Sequence, residues 1–63
     1  MNKTKIVKVR VARILRTDGY RIKQLTNAVD IEVNNVRYGV GDSLSRDNLN
    51  QVNEWPEYEV TVI

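Results

Sequence analysis

The sequence predicts a small, mainly β domain. It reads as five strands in an antiparallel half-open barrel or curled sheet, of the SH3-like or OB-like kind, with one short helix before the last strand. Three observations point there. Val and Ile supply 15 of the 63 residues while Ala supplies two and Phe none, and β-branched side chains fit a pleated sheet better than a helix. Apolar and polar residues alternate with period two in several segments bounded by Gly, Asn and Asp. A single stretch, after Ser45, carries helix-start chemistry.

The first strand is expected within residues 4–15. Val7, Val9 and Val11 alternate there with Lys8 and Arg10, and the adjacent Ile14 and Leu15 imply a bulge or bend near Arg13. Thr17-Asp18-Gly19 reads as a turn, with Asp bonding local backbone and Gly free to take positive φ. Tyr20 to Leu25 forms a second strand, with Tyr20 and Ile22 on one face and Arg21 and Lys23 on the other. A hairpin follows over 29–40. Asn34-Asn35 tolerates the left-handed conformation of a type I′ turn, which pairs Val33 with Val36, Ile31 with Tyr38 and Val29 with Val40. All six share one face, and Glu32 falls opposite Arg37 on the other. This hairpin is expected to be the structural centre.

Gly41-Asp42 breaks the sheet. Ser45 then caps a helix over roughly 46–54, with Asp47 near its positive end and Leu44 stapled to Leu49. Leu49 and Val52 form its narrow inward face. Pro56 ends it, and Trp55 closes one end of the core. The last strand spans 57–63, where Tyr58, Val60 and Val62 alternate with Glu57, Glu59 and Thr61. First and last strands are expected to be neighbours, setting Lys8 and Arg10 near Glu57 and Glu59.

Sixty-three residues amount to one domain, 1–63, and a chain this short buries only about 60% of its unfolded surface. Neither cysteine nor histidine is present, which removes disulfides, thiolate and imidazole metal sites, thiol catalysis and Ser-His dyads. No metal or other cofactor is expected. No apolar run approaches the roughly 18 residues of a membrane span, and no signal-peptide core opens the chain, so a soluble, non-membrane protein is expected.

Charge is asymmetric. Residues 1–25 hold eight Lys/Arg and one Asp, a balance of +7; residues 26–63 hold two Arg and seven Asp/Glu, a balance of −5. One reading is a basic surface for nucleic acid, formed by Lys8, Arg10, Arg13, Arg16, Arg21 and Lys23. The other is complementarity inside the sheet, basic strand beside acidic strand, and it is favoured for most of these charges.

Catalytic chemistry has little material. Only carboxylates, lysines and tyrosines could move protons. Asp42, in a tight turn, is expected to satisfy backbone donors, and Glu32 is spoken for by Arg37, which weakens an Asp30–Glu32 pair. Gly39-Val40-Gly41-Asp42 lacks the Lys-Ser/Thr of a phosphate loop. The expectation is no enzyme. For single-stranded nucleic acid, stacking rings are wanting, because Tyr20, Tyr38 and Tyr58 all fall on apolar phases.

Val36-Arg37-Tyr38-Gly39-Val40-Gly41-Asp42-Ser43-Leu44, followed by a short polar helix and a strand, resembles small accessory proteins of tailed bacteriophages and prophages. Those often carry a hydrophobic-Gly-Asp-x-Leu step between hairpin and helix. The resemblance spans about 20 residues and assigns no functional residue. It implies a non-enzymatic module that binds a host or virion protein, in a bacterial host's cytoplasm. Such a protein partner is the leading expectation, with nucleic acid on the basic hairpin as the alternative. Self-association is expected too, as a homodimer through an edge containing Val62 and Ile63, since Ile63 lies on the outward phase.

Overall fold

The alternation of Val7, Val9 and Val11 with Lys8 and Arg10 requires a strand with one apolar face, and that strand runs through the middle of the fold. The computed structural model describes residues 6–63. Its elements are β1 (Val7–Ile14), β2 (Gly19–Thr26), β3 (Asp30–Val33), β4 (Val36–Gly39), β5 (Ser43–Ser45), α1 (Arg46–Glu54) and β6 (Tyr58–Val62). The start expected for the first strand, Thr4 and Lys5, lies outside the described residues. The protein is mainly β, with one short helix before the last strand.

Three features differ from the expected architecture. There are six strands rather than five, because Ser43–Ser45 pairs with β2; three residues with one apolar member show no period. The strands form two open sheets, a four-stranded one in the order β5-β2-β1-β6 and the two-stranded β3-β4. The larger sheet is mixed rather than antiparallel: β1 meets β2 and β2 meets β5 antiparallel, whereas β1 and β6 run parallel. Placing first and last strands side by side was correct.

One face of the larger sheet carries the core. Val9 pairs with Leu25 and Val60, Val11 with Ile22 and Val62, and Tyr20 with Leu44. Ile31 and Val33 of the hairpin and Leu49 and Val52 of the helix pack against this face, completing a cluster of eight buried residues. The hairpin is therefore a covering layer and not the centre; it supplies two of the eight. Its register is as expected, with Val33 on Val36, Ile31 on Tyr38 and Glu32 on Arg37, and both turn asparagines are left-handed at φ 52° and 65°. Pairing stops at Asp30 and Gly39, however, so Val29 and Val40 stand 89% and 60% exposed instead of sharing the buried face. Arg37 bonds Asp30, diagonally placed, rather than Glu32.

The phase slip lies elsewhere than near Arg13. β1 keeps its alternation to Ile14, and Leu15 leaves it 91% exposed in the turn. The bulge is in β2: Arg10 pairs with Gln24 and Val11 with Ile22, so Lys23 is the extra residue. This puts Lys23 and Gln24 on the same side and lets both Ile22 and Leu25 face the core. In the first turn Gly19 does not adopt positive φ. Glycine suits the position because a Cβ would meet the Leu44 carbonyl oxygen at 3.2 Å, a tight contact that the β5 backbone would have to relieve by a few tenths of an ångström.

Gly39–Asp42 is the corner that carries the chain from hairpin to sheet. The Asp42 carboxylate accepts the Gly39 amide at 2.8 Å, and the Asp42 amide donates to the Gly39 carbonyl at 3.0 Å. Gly41, at φ 95°, supplies the left-handed step that an L side chain resists. Ile22 then bonds this corner twice, its amide donating to Asp42 and its carbonyl accepting from Gly41. Asp42 thus satisfies backbone donors. The hydrophobic-Gly-Asp-x-Leu step is a structural device.

The helix starts as its sequence requires. Ser45 Oγ accepts the Asn48 amide at 3.2 Å, and Leu44 and Leu49 on either side of the cap are both buried. It ends where the Trp55 amide donates to Val52 and the chain turns through Pro56 into β6.

Candidate functional site

The hairpin and helix cover one face of the four-stranded sheet; its other face is uncovered among the described residues. Strand alternation decides what stands there. β1 presents Lys8, Arg10, Ala12 and Ile14, and β2 presents Arg21, Lys23, Gln24 and Thr26. β6 adds Glu59 and Thr61, and β5 adds Ser43 and Ser45. Across the strands Lys8 lies between Thr26 and Glu59, Arg10 between Gln24 and Thr61, and Arg21 between Ala12 and Ser43.

Lys8, Arg10, Arg21 and Lys23 are exposed, and Glu59 is the one carboxylate that the strands place beside them. An open polar depression of about 300 Å³ is lined by Lys8, Arg10, Gln24, Thr26, Glu59 and Thr61. A second open depression, about 520 Å³, lies between the β1–β2 turn and β5, with Ile14, Gly19, Arg21 and Ser45 among its lining.

Of the six basic residues singled out from sequence, the structure brings these four to one face. Arg13 is on the phase of Val9 and Val11, beyond the covered core, and Arg16 is in the turn. The polar members between the cations (Gln24, Thr26, Thr61 and Ser43) were missed; strand phase could have found Thr61 alone, because only the bulge at Lys23 carries Gln24 and Thr26 onto this face. None of the six has an ion pair: among the described residues the pairs within 4.0 Å are Arg37–Asp30 at 3.5 Å and Arg46–Asp18 at 3.6 Å. Glu59 opposes Lys8 in register, Arg10 meets Thr61 and Glu57 precedes β6, so the last strand sets one of its carboxylates directly across from the cations of the first, without an ion pair within 4.0 Å. The remaining acidic residues sit in the hairpin, the corner, the turns and the helix.

The aromatic rings are all on the other side. Tyr20 pairs with Leu44, Tyr58 pairs with Val7 and meets Trp55 edge-on at 5.2 Å, and the Tyr38 hydroxyl accepts from Asn48 at 2.9 Å. The face offers charge and hydrogen bonds with no stacking surface. No group of three or more acidic, His or Cys side chains that could hold a metal occurs among the described residues, and no helix among them is long and apolar enough to cross a membrane.

Val62 and Ile63 lie at an edge of the larger sheet. β6 is the last strand of its sheet, the two residues are 55% and 60% exposed, and the Ile63 amide still bonds the Val11 carbonyl at 2.8 Å. Compared with known proteins, the chain matches no family model, no curated protein and no solved structure.

Proposed function

We propose that the protein is a non-enzymatic binding module whose ligand is the phosphate backbone of nucleic acid, held on the uncovered face of the four-stranded sheet. The observation that carries this reading is the group of four exposed cations, Lys8, Arg10, Arg21 and Lys23, on one face with no ion pair to neutralise them. Cations in this state displace the counterions condensed on a polyphosphate, and the released ions drive association. Gln24, Thr26, Thr61 and Ser43 stand among them as hydrogen-bond donors of the kind that orient phosphate oxygens.

The test is titration of labelled nucleic acid at about 50 mM and about 200 mM salt, where an interface of this size loses affinity steeply. Joint Arg10→Glu, Arg21→Glu and Lys23→Glu reversal abolishes binding while leaving the fold intact. Arg13→Glu, off the face, costs far less. Absence of binding at the lower salt overturns the reading, since screening is weakest there.

A protein partner is the second reading. The open edge of β6, with Val62 and Ile63 exposed, favours it. Capture from a bacterial lysate with and without nuclease separates the two, because only a nucleic-acid-dependent association disappears on digestion.

A further inference from the structure

Resting on the nucleic-acid reading, we infer that the ligand is a duplex, bound through its backbone without regard to sequence, rather than a single strand. Single-strand binders combine a basic groove with aromatic side chains on which bases stack, and the stacking supplies much of their affinity. This face has no ring to offer. Tyr20 and Tyr58 are on the core face of the same strands, Trp55 packs on Tyr58, and Tyr38 lies in the covering hairpin with its hydroxyl engaged. To stack a base, any of them would have to leave the core cluster.

What remains is attraction to charge, and charge density distinguishes the two forms. Lys8 stands beside Thr26 and Arg21 beside Ala12, so the cationic patch extends four residues along β1, roughly 13 Å at 3.3 Å per residue. Over that length a B-form duplex carries about eight phosphates and either strand alone about four. The bulge sets Lys23 and Gln24 together on this face opposite Arg10 and Val11, so the four cations stand close together on two adjacent strands. The helix and the hairpin pack into the core cluster on the opposite face, so neither is presented to a groove from this one. Between the cations, Thr26, Thr61 and Ala12 are too short to read base edges, which leaves Gln24 as the one neutral side chain there with that reach.

The experiment uses the full chain and labelled oligonucleotides of about 20 residues, the same sequence single-stranded and annealed, plus a second duplex of unrelated sequence, at about 50 and 200 mM salt. The duplex binds at least about tenfold tighter than its single strand, and the log–log salt slope approaches 3.6 for four neutralised phosphates, as an order-of-magnitude figure. The two duplexes agree within about threefold, as phosphate contacts carry no sequence information. Trp55 emission does not change on duplex addition. Equal or tighter binding of the single strand, or strong Trp55 quenching by it, overturns the inference while leaving nucleic-acid binding standing. Binding of neither form overturns both.

Discussion

Asn48 Oδ1 accepts a 2.8 Å hydrogen bond from Asn34 Nδ2, tying the first turn of α1 to the tip of the β3–β4 hairpin. The same amide donates to the Tyr38 hydroxyl at 2.9 Å, and the Asn48 backbone is held by the Ser45 cap. The layer opposite the larger sheet is made of a two-stranded ribbon and a helix of nine residues, neither of which is stable alone. Beside their shared core contacts, one side chain ties them by hydrogen bonds. Asn48→Ala removes two side-chain bonds and is expected to cost about 1–3 kcal/mol, read from urea denaturation. Asn48→Asp keeps the acceptor for Asn34 and suits the helix N-terminus, so it should cost less. Equal stability of Asn48→Ala and the parent would mean that the tie does nothing.

The hairpin turn gives a paired prediction. Asn35 is left-handed at φ 65°, so Asn35→Gly should be neutral or mildly stabilising, whereas Asn35→Val should lose about 1–2 kcal/mol or more. Ile31→Ala, at a side chain 2% exposed, should cost about 2–5 kcal/mol. Val36→Ala, at 47% exposure, should stay within roughly 0.5–1 kcal/mol. Thermal melts that reverse this order would contradict the hairpin's register.

What the sequence made legible was local. Asn34-Asn35, the Ser45 cap and the buried Leu44 and Leu49 on either side of it all act within five residues, and each was found where expected. The missed features depend on partners far along the chain. β5 becomes a strand only because β2 lies beside it; Lys23 is a bulge only because Arg10 and Val11 stand opposite. Asn48 carries no mark of its two distant partners. The site was half-legible for the same reason. The basic excess was plain in composition, but its neutralisation turned on the direction and register of β6, which composition does not encode.

The open edge of β6 has a defined pattern. The Val7 amide donates to Glu57 and the Ile63 amide to Val11, so odd-numbered residues face β1 and Val60 and Val62 turn their backbone groups outward. Antiparallel pairing of two copies about Val60 would set Glu59 against Thr61 of the second copy, with no like charges opposed. Sedimentation equilibrium at high concentration is expected to show a weak dimer. Val62→Pro should abolish it without unfolding the monomer, since the amide lost is the outward one. A monomer at every concentration would remove the case for self-association.

Glu59 provides the sharpest test of the sheet face. It is the carboxylate among the strand residues of that face, directly across from Lys8, and the two lie beyond ion-pair distance. A partner of this kind contributes little to stability, so Glu59→Gln should shift the melting free energy by less than about 0.5 kcal/mol. For an arriving phosphate it is a like charge a few ångströms from the contact, worth about 1 kcal/mol of repulsion in solvent. Its removal should tighten duplex binding roughly fivefold at low salt, and less as salt rises, because the repulsion removed is itself screened. Glu54→Gln changes net charge equally but lies on the helix, across the core from this face, and should change affinity much less. If both variants tightened binding alike, the protein would be responding to total charge, and the arrangement of Lys8, Arg10, Arg21 and Lys23 would have no bearing on how it binds.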